Sequence, residues 1–472
     1  MTQRLWRVLL SMALLAGLVG AVGVASPAQA AEVDILARLK AVPGLTVVEE
    51  RPAPAPYRFF VLSYPQPVDH RRPSAGTFQQ RFTLLHRGTD RPMVLHTTGY
   101  NVPIRVFRAE PTRLVEGNQI SVEQRFFTPS RPEPADWTKL TIWQAATDHH
   151  RIVDALKPIY SGKWISTGAS KGGMTSVYHR RFYPSDVDGT VAYVAPQDVV
   201  NNEDSAYDRF FTTVGTDPAC RAALDAVQVE ALKRRTELVA RYTAWAAGNG
   251  RTFRIVGSVD RAFEFMVNGT TWAFWQYSDQ SQCAAVPATT ASSDEIWTWL
   301  DTVYGWDSNT DQGDEPFVPY YFQAATQLGY PFVKQNHLAG LQHYRGQDVA
   351  TSYIPRDLPV HFQPFAMLDV DVWVKLFGRQ LLFVYGQNDP WGAEPFRLGP
   401  GTRDSLWYVA AGANHGANIS LLTPDQTAAA TAAVQRWAGV TPAAGLRAGS
   451  PAAQYIPALD DWNPALDRHL SR

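Results

Sequence analysis

The apolar positions of this chain change their period several times between residues 46 and 199. Residues 46–66 read as extended but proline-punctuated, and "TFQQRFTLLHR" then alternates apolar and polar positions in the manner of a half-buried strand. "RPMVLHTTGYN" and "NQISVEQRFF" are short apolar runs ending in turn residues. From Leu140 the spacing becomes helical, with Leu140, Trp143, Ala146, Ile152 and Leu156 recurring on one face. "KWISTG" predicts a strand, residues 171–182 a helix and "GTVAYVAP" a further strand. Strands that alternate with helices argue for an α/β class with a parallel sheet.

That rhythm stops near Val199. As far as about residue 375 the chain is rich in helix-like stretches such as "DPACRAALDAVQVEALKRRTELVARYTAWAA", and in aromatics such as Trp272, Phe274, Trp275 and Tyr277. A mostly helical insertion over 199–375 is expected, dividing an α/β unit into 31–198 and 376–440. The sheet pattern returns in "RQLLFVYGQNDP" and "SLWYVAAGANHG", followed by a helix in "TPDQTAAATAAVQRWAG" and a tail over 441–472.

Composition narrows the classes. With 43 basic and 44 acidic residues among 472, the formal net charge is −1, so nothing suggests a nucleic-acid partner. Arg4 and Arg7 precede the apolar run "LLSMALLAGLVGAVGVA", which closes on the A-x-A site Ala28-Gln29-Ala30. This reads as a secretory signal cleaved after Ala30, with an uncleaved membrane anchor as the alternative. No other run is long enough to span a bilayer, so no membrane association is expected after cleavage. The two cysteines, Cys220 and Cys283, both lie in the exported part, where one disulfide between them is the natural reading and two separate thiols the other. Oligomeric state is not readable.

Gly168-Ala169-Ser170-Lys171-Gly172 spells G-x-S-x-G between a strand and a helix. A serine hydroxyl needs a base to take its proton and an acid to orient that base. At a strand-to-helix elbow, small residues on both sides of the serine relieve crowding. The partners are expected in the order Ser, Asp or Glu, His, each after a later strand. Asp389 follows "LLFVYG" and His415 follows "LWYVA", with a gap wide enough for a helix-and-loop crossover. Asp389 precedes Pro390 and could simply start a turn. Asp371 and Asp198 are rival acids, but Asp371 comes before its strand and Asp198 before the insertion. Among eleven histidines, His149, His150 and His179 fall on predicted helices, and none gives H-E-x-x-H or another metal-ligand spacing. They read as surface or packing residues. For an oxyanion hole the backbone N–H of Lys171 is one donor, and "LHTTGYN" offers that of Tyr100, with Gly99 beside it or as a plain turn residue.

The stretch from "ISVEQRFFTPSRPEPADWTKL" through "STGASKGGMTSVYHRRFYP" to "APQDV", with "HTTGYN" and "YGQNDPW", resembles the secreted actinobacterial tripeptidyl aminopeptidases, the prolyl tri/tetrapeptidyl aminopeptidase family of serine peptidases. It is similar at greater distance to prolyl carboxypeptidase and the serine-type lysosomal dipeptidyl peptidase. The resemblance implies an α/β-hydrolase core with a large helical cap inserted after the sixth core strand. It also implies export, and removal of tripeptides, possibly tetrapeptides, from free N-termini near proline. Ser170, Asp389 and His415 fall on the family's catalytic positions, and no metal or organic cofactor is required. Recognition of a free ammonium calls for a carboxylate at a fixed distance from the serine. Asp198, Glu203 and Asp204 in "APQDVVNNEDSAYDRFF" are candidates, as is Glu123 in "VEQRFF", which could instead pair with Arg125 or a neighbouring base. "TTWAFWQYSD" either lines a proline pocket or is core. A secreted carboxylic esterase or lipase on the same fold is the enzymatic alternative, and a non-catalytic binding protein the other.

Overall fold

Five runs buried on both faces form the centre of the sheet in this computed structural model, which describes residues 34–440 and 455–460. The strands are β1 (Thr46–Arg51), β2 (Arg58–Pro67), β3 (Thr77–His86), β4 (Met93–Thr97), β5 (Asn118–Val122), β6 (Trp164–Ala169), β7 (Gly189–Tyr193), β8 (Leu381–Gly386) and β9 (Leu406–Ala410). Their spatial order is β1-β2-β3-β5-β4-β6-β7-β8-β9. The first three and the β3–β5 pair are antiparallel, and all later pairs are parallel. The proline-punctuated stretch thus becomes two strands, so the sixth strand of the expected core is the seventh in the chain.

Ten of the helices are α1 (Glu110–Leu114), α2 (Ile142–Leu156), α3 (Lys171–Phe182), α4 (Ser205–Thr213), α5 (Pro218–Lys233), α6 (Arg235–Gly248), α7 (Val259–Tyr277), α8 (Ser293–Val303), α9 (Phe365–Phe377) and α10 (Pro424–Trp437). Thr141 and Thr423 cap α2 and α10 by accepting the N–H of Gln144 and Gln426. On one face of the sheet Ile142, Ala146, Met174 and Val177 pack with Ala192 and Phe383. On the other, Leu114, Val434 and Trp437 pack with Ile165, Val191 and Leu382. Parallel strands covered on both faces, with a serine on the strand-to-helix turn after β6, make this an α/β-hydrolase core.

Everything regular between β7 and β8 is helical. Leu224, Leu238, Tyr242, Phe263, Met266 and Trp275 from α5 to α7 build a core of their own, so the segment buries its apolar faces without borrowing the sheet. The last helix differs. Met367, Val370 and Val374 of α9 pack beside Val177, Leu381 and Phe383, so most of this helix, which the sequence reading assigns to the insertion, covers the sheet. The β8-to-β9 crossover also differs from the expected helix-and-loop: Pro390–Ala393 supplies one 3₁₀ turn and the rest is loop. Cys220 and Cys283 are disulfide-bonded, tying the start of α5 to the segment after α7.

The chain divides into a short unit ending at Ala41, represented by the helix Ile35–Lys40, and a second unit from Val42 onward. The expected signal segment lies outside the described residues, as does the tail except for 455–460, where Asp460 pairs with Arg108. Among the described residues no helix is long and apolar enough to cross a membrane.

Candidate active site

Ser170 sits between β6 and α3 at φ +55°, ψ −130°. A left-handed backbone at a serine is costly and is held here by close packing on both sides. A Cβ on Gly168 would lie 2.3 Å from Gly172 O, and one on Gly172 would lie 2.4 Å from Thr97 O. Only glycine allows those backbones to touch. Ser170 N–H donates to Tyr193 O at 2.9 Å, fastening the elbow to β7.

Asp389 and His415 meet across the ends of β8 and β9. His415 Nδ1 and Asp389 Oδ2 are 2.8 Å apart, and the second carboxylate oxygen accepts the N–H of Trp391 at 3.1 Å. The turn-starting role and the pairing role are therefore filled by different oxygens of one side chain. The histidine loop is tied down at several points: Asn388 N–H donates to Ala413 O at 2.8 Å, His415 N–H to Gln276 O at 3.1 Å, and Asn414 Nδ2 to Ser278 O at 3.1 Å. His415 Nε2 is buried without a hydrogen-bond partner. The phenol of Tyr100 stands beside the Ser170 hydroxyl, and the His415–Asp389 contact is closed while the Ser170–His415 contact is open, a common state of sites without substrate.

The loop after β4 requires a correction. The Tyr100 N–H is engaged by Thr98 Oγ1 at 3.2 Å, so Tyr100 meets the serine through its hydroxyl and not its amide. Burial, with the nearby phenols of Tyr320 and Tyr277, holds that hydroxyl well above its usual pKa and keeps it a donor. Gly99 has φ +73°, and a Cβ there would stand 2.6 Å from Gly172 N; its closeness to the elbow is a steric requirement. Lys171 carries two features. Its N–H opens α3, whose N-cap side chain makes no capping bond. Its ammonium is buried, donates to Gly99 O at 2.6 Å and lies 5.5 Å from the ring centroids of both Tyr100 and Phe127. Burial pulls its pKa down to about 7.

The four candidate carboxylates separate. Glu123 is fully buried and used up by Arg81 at 2.5 Å, Ser130 Oγ at 2.8 Å and Val102 N–H at 3.0 Å; Arg125 pairs instead with Asp148 at 2.6 Å. Glu203 is exposed and accepts the N–H of Ser205. Asp204 accepts the N–H of Phe332 at 3.0 Å. Asp198 alone shares a recess with Ser170, a space of about 20 Å³ also lined by Met174, Pro196 and Leu328. Neither of its oxygens has a hydrogen-bond partner. Burial, then repulsion from Glu394 and Asp204, pushes its carboxyl up to about 7.

Ser170 also opens onto a cavity of about 490 Å³ whose walls come almost wholly from residues 208–353. The aromatic run divides between the two expected roles: Phe274 and Trp275 are core, whereas Trp272 and Tyr277 line the cavity. The phenol of Tyr100, the ammonium of Lys171 and the cavity residues Asp208, Asp225 and Asp348 were not singled out from the sequence, because nothing in local spacing brings them to the serine. The remaining helical histidines have other work: His149 Nδ1 faces Ala145 O, and His150 and His179 flank Asp186.

The chain is 55% identical over 462 residues to the prolyl tri/tetrapeptidyl aminopeptidase of Streptomyces mobaraensis, covering 96% of each chain. Among solved structures, a peroxisomal alpha-beta-hydrolase of Saccharomyces cerevisiae matches at 9% identity and TM-score 0.36, over 85% of this chain and 93% of its own. A carboxyl esterase of Tuber melanosporum matches at 10% identity and TM-score 0.33, over 83% and 89%. Residues 28–468 match the PS-10 peptidase S37 family, and with a full-length relative at that identity, the chain belongs to the S37 family of peptidases.

Proposed function

We propose that the protein is an exported serine exopeptidase that releases tripeptides, with tetrapeptides as the alternative product, from free N-termini, favouring proline near the cleavage site. The observation that carries this reading is a candidate nucleophile at the wall of a cavity within the range of small-molecule sites, ~300–1,000 Å³, built from the insertion instead of the sheet. The S. mobaraensis relative, by its name, acts on tri- and tetrapeptidyl substrates with proline. Export is supported by the basic and apolar N-terminal pattern and by the Cys220–Cys283 bond, which needs an oxidising compartment.

In this reading Ser170 turns from Tyr100 toward His415 Nε2 and attacks the scissile carbonyl as the imidazole takes its proton. Asp389 keeps the other ring nitrogen protonated and stabilises the imidazolium. Lys171 N–H and the Tyr100 hydroxyl are the donors nearest the developing oxyanion. The imidazolium then protonates the departing amine, and water, deprotonated by the same base, releases the peptide from the serine ester. An esterase reading is disfavoured by Asp198 in the recess beside the serine and by the carboxylates of the cavity wall, which suit a cationic substrate end better than an acyl chain.

The test is hydrolysis of tripeptide p-nitroanilides ending in proline, with free and N-acetylated amino ends, by the wild type and by Ser170→Ala. Rapid release from the free substrate only, silenced by a serine-directed phosphonate and by the substitution, is expected. Equal cleavage of the acetylated substrate, or turnover of p-nitrophenyl esters alone, refutes the reading.

A further inference from the structure

We propose that Asp348 is the carboxylate that receives the substrate's free ammonium. This assignment rests on the aminopeptidase reading above. It begins from the cavity, whose walls contain three carboxylates, Asp208, Asp225 and Asp348. One of them already faces a cation, Asp208 at 3.5 Å from Lys334 Nζ, and Asp225 meets the His337 imidazole at 3.6 Å with the charge of Arg221 acting on it. Asp348 is bonded by neutral donors, the Tyr353 hydroxyl at 2.5 Å and the Asn268 amide. Arg261 and Glu264 act on it only through space and in opposite directions.

A carboxylate surrounded by a phenol and an amide has its lone pairs directed but its charge uncompensated. Burial pushes its carboxyl up to about 6, so at neutral pH the ionised form prevails and bears an unmet desolvation cost. An ammonium entering the cavity supplies the missing charge through a charge-assisted hydrogen bond.

Ser170 and Asp348 line the same cavity. A chain of rings runs from the serine to this carboxylate: the Tyr100 hydroxyl stands beside Ser170, Tyr100 and Tyr320 have centroids 5.8 Å apart, Tyr320 and Tyr321 5.0 Å, and Tyr321 and Tyr353 4.6 Å. All four tyrosines line the cavity. The three ring steps together exceed the ~10 Å that three extended residues reach, so this path bounds the gap from above. Asp198, the rival, lies in the small recess beside Ser170, where an ammonium would leave room for fewer residues.

The experiment compares kcat/KM for a proline-ending tripeptide anilide with that for its des-amino analogue, which lacks only the terminal amine. Wild type, Asp348→Asn and Asp198→Asn are assayed, with folding checked by circular dichroism. In Asp348→Asn the preference for the amine is expected to fall roughly 10- to 100-fold, while Asp198→Asn keeps it. A preference that survives Asp348→Asn, or collapses only in Asp198→Asn, overturns the assignment. A wild type indifferent to the amine refutes the aminopeptidase reading itself, and with it this assignment. If Asp348→Asn does not fold, Asp348→Glu carries the test: it retains the charge one methylene further along, so the amine preference should persist with reduced kcat/KM, and unaltered kinetics overturn the proposal.

Discussion

Replacing Lys171 with methionine separates what the buried ammonium does for activity from what it does to stability. The side chain is 1% exposed and has one hydrogen-bond acceptor, Gly99 O. Burial lowers its pKa from 10.5 to about 7, which corresponds to roughly 5 kcal/mol against the charged form in the folded chain. The sign follows from proton counting. Below pH 7 the lysine is protonated whether folded or unfolded, and the whole penalty applies. Between pH 7 and 10.5 the unfolded chain holds a proton that the folded chain lacks, so stability rises with pH. Methionine has a similar volume and removes the penalty, but leaves Gly99 O without its donor at a cost of about 1–3 kcal/mol. The variant should therefore be about 2–4 kcal/mol more stable than wild type at pH 6, and about 0–2 kcal/mol less stable at pH 10. Urea unfolding followed by tryptophan fluorescence at the two pH values measures this. Activity should move the other way: with the Gly99 loop untethered from α3, kcat falls about 10-fold even where stability rises. A wild type that is the more stable protein at pH 6, or a difference that does not change with pH, refutes the reasoning.

Gly99→Ala places a Cβ 2.6 Å from Gly172 N at a φ of +73°, so the loop must move off the elbow; kcat should drop by roughly 100-fold or more with native circular dichroism. Reducing the Cys220–Cys283 bond, or changing both residues to serine, opens a loop with a sequence separation of 63 and should cost about 4 kcal/mol in urea unfolding. Asp198→Asn removes a carboxyl pushed from 3.8 up to about 7 by burial and by Glu394 and Asp204. The ionised form is penalised fully above pH 7 and not below pH 3.8, so the variant should gain at most about 4 kcal/mol at pH 8 and nothing at pH 4.

The parallel strands and the helices after them were legible because their apolar runs carry a period and end at glycines or capping residues. "KWISTG" and "LLFVYG" could be placed, and with them the loops bearing Ser170 and Asp389. The boundary near α9 was not: Met367, Val370 and Val374 read alike as insertion or sheet-covering helix, and only packing against Phe383 decides. At the site, the peptide amide of Tyr100 was expected to act because a turn glycine precedes it, but the Thr98 hydroxyl two residues earlier claims that amide and leaves the phenol to face Ser170. Asp348 lies in a loop with no period. Its place on the cavity that Ser170 also lines arises from how the insertion folds on itself, and that is written in long-range packing.

The bond from His415 N–H to Gln276 O, with that from Asn414 to Ser278 O, links the loop of the base to the last turn of α7, the helix that also supplies Asn268, Trp272 and Tyr277 to the cavity wall. The cavity wall and the loop of the candidate base are thereby one mechanical piece: in the proposed mechanism, whatever fixes α7 also fixes where His415 stands against Asp389.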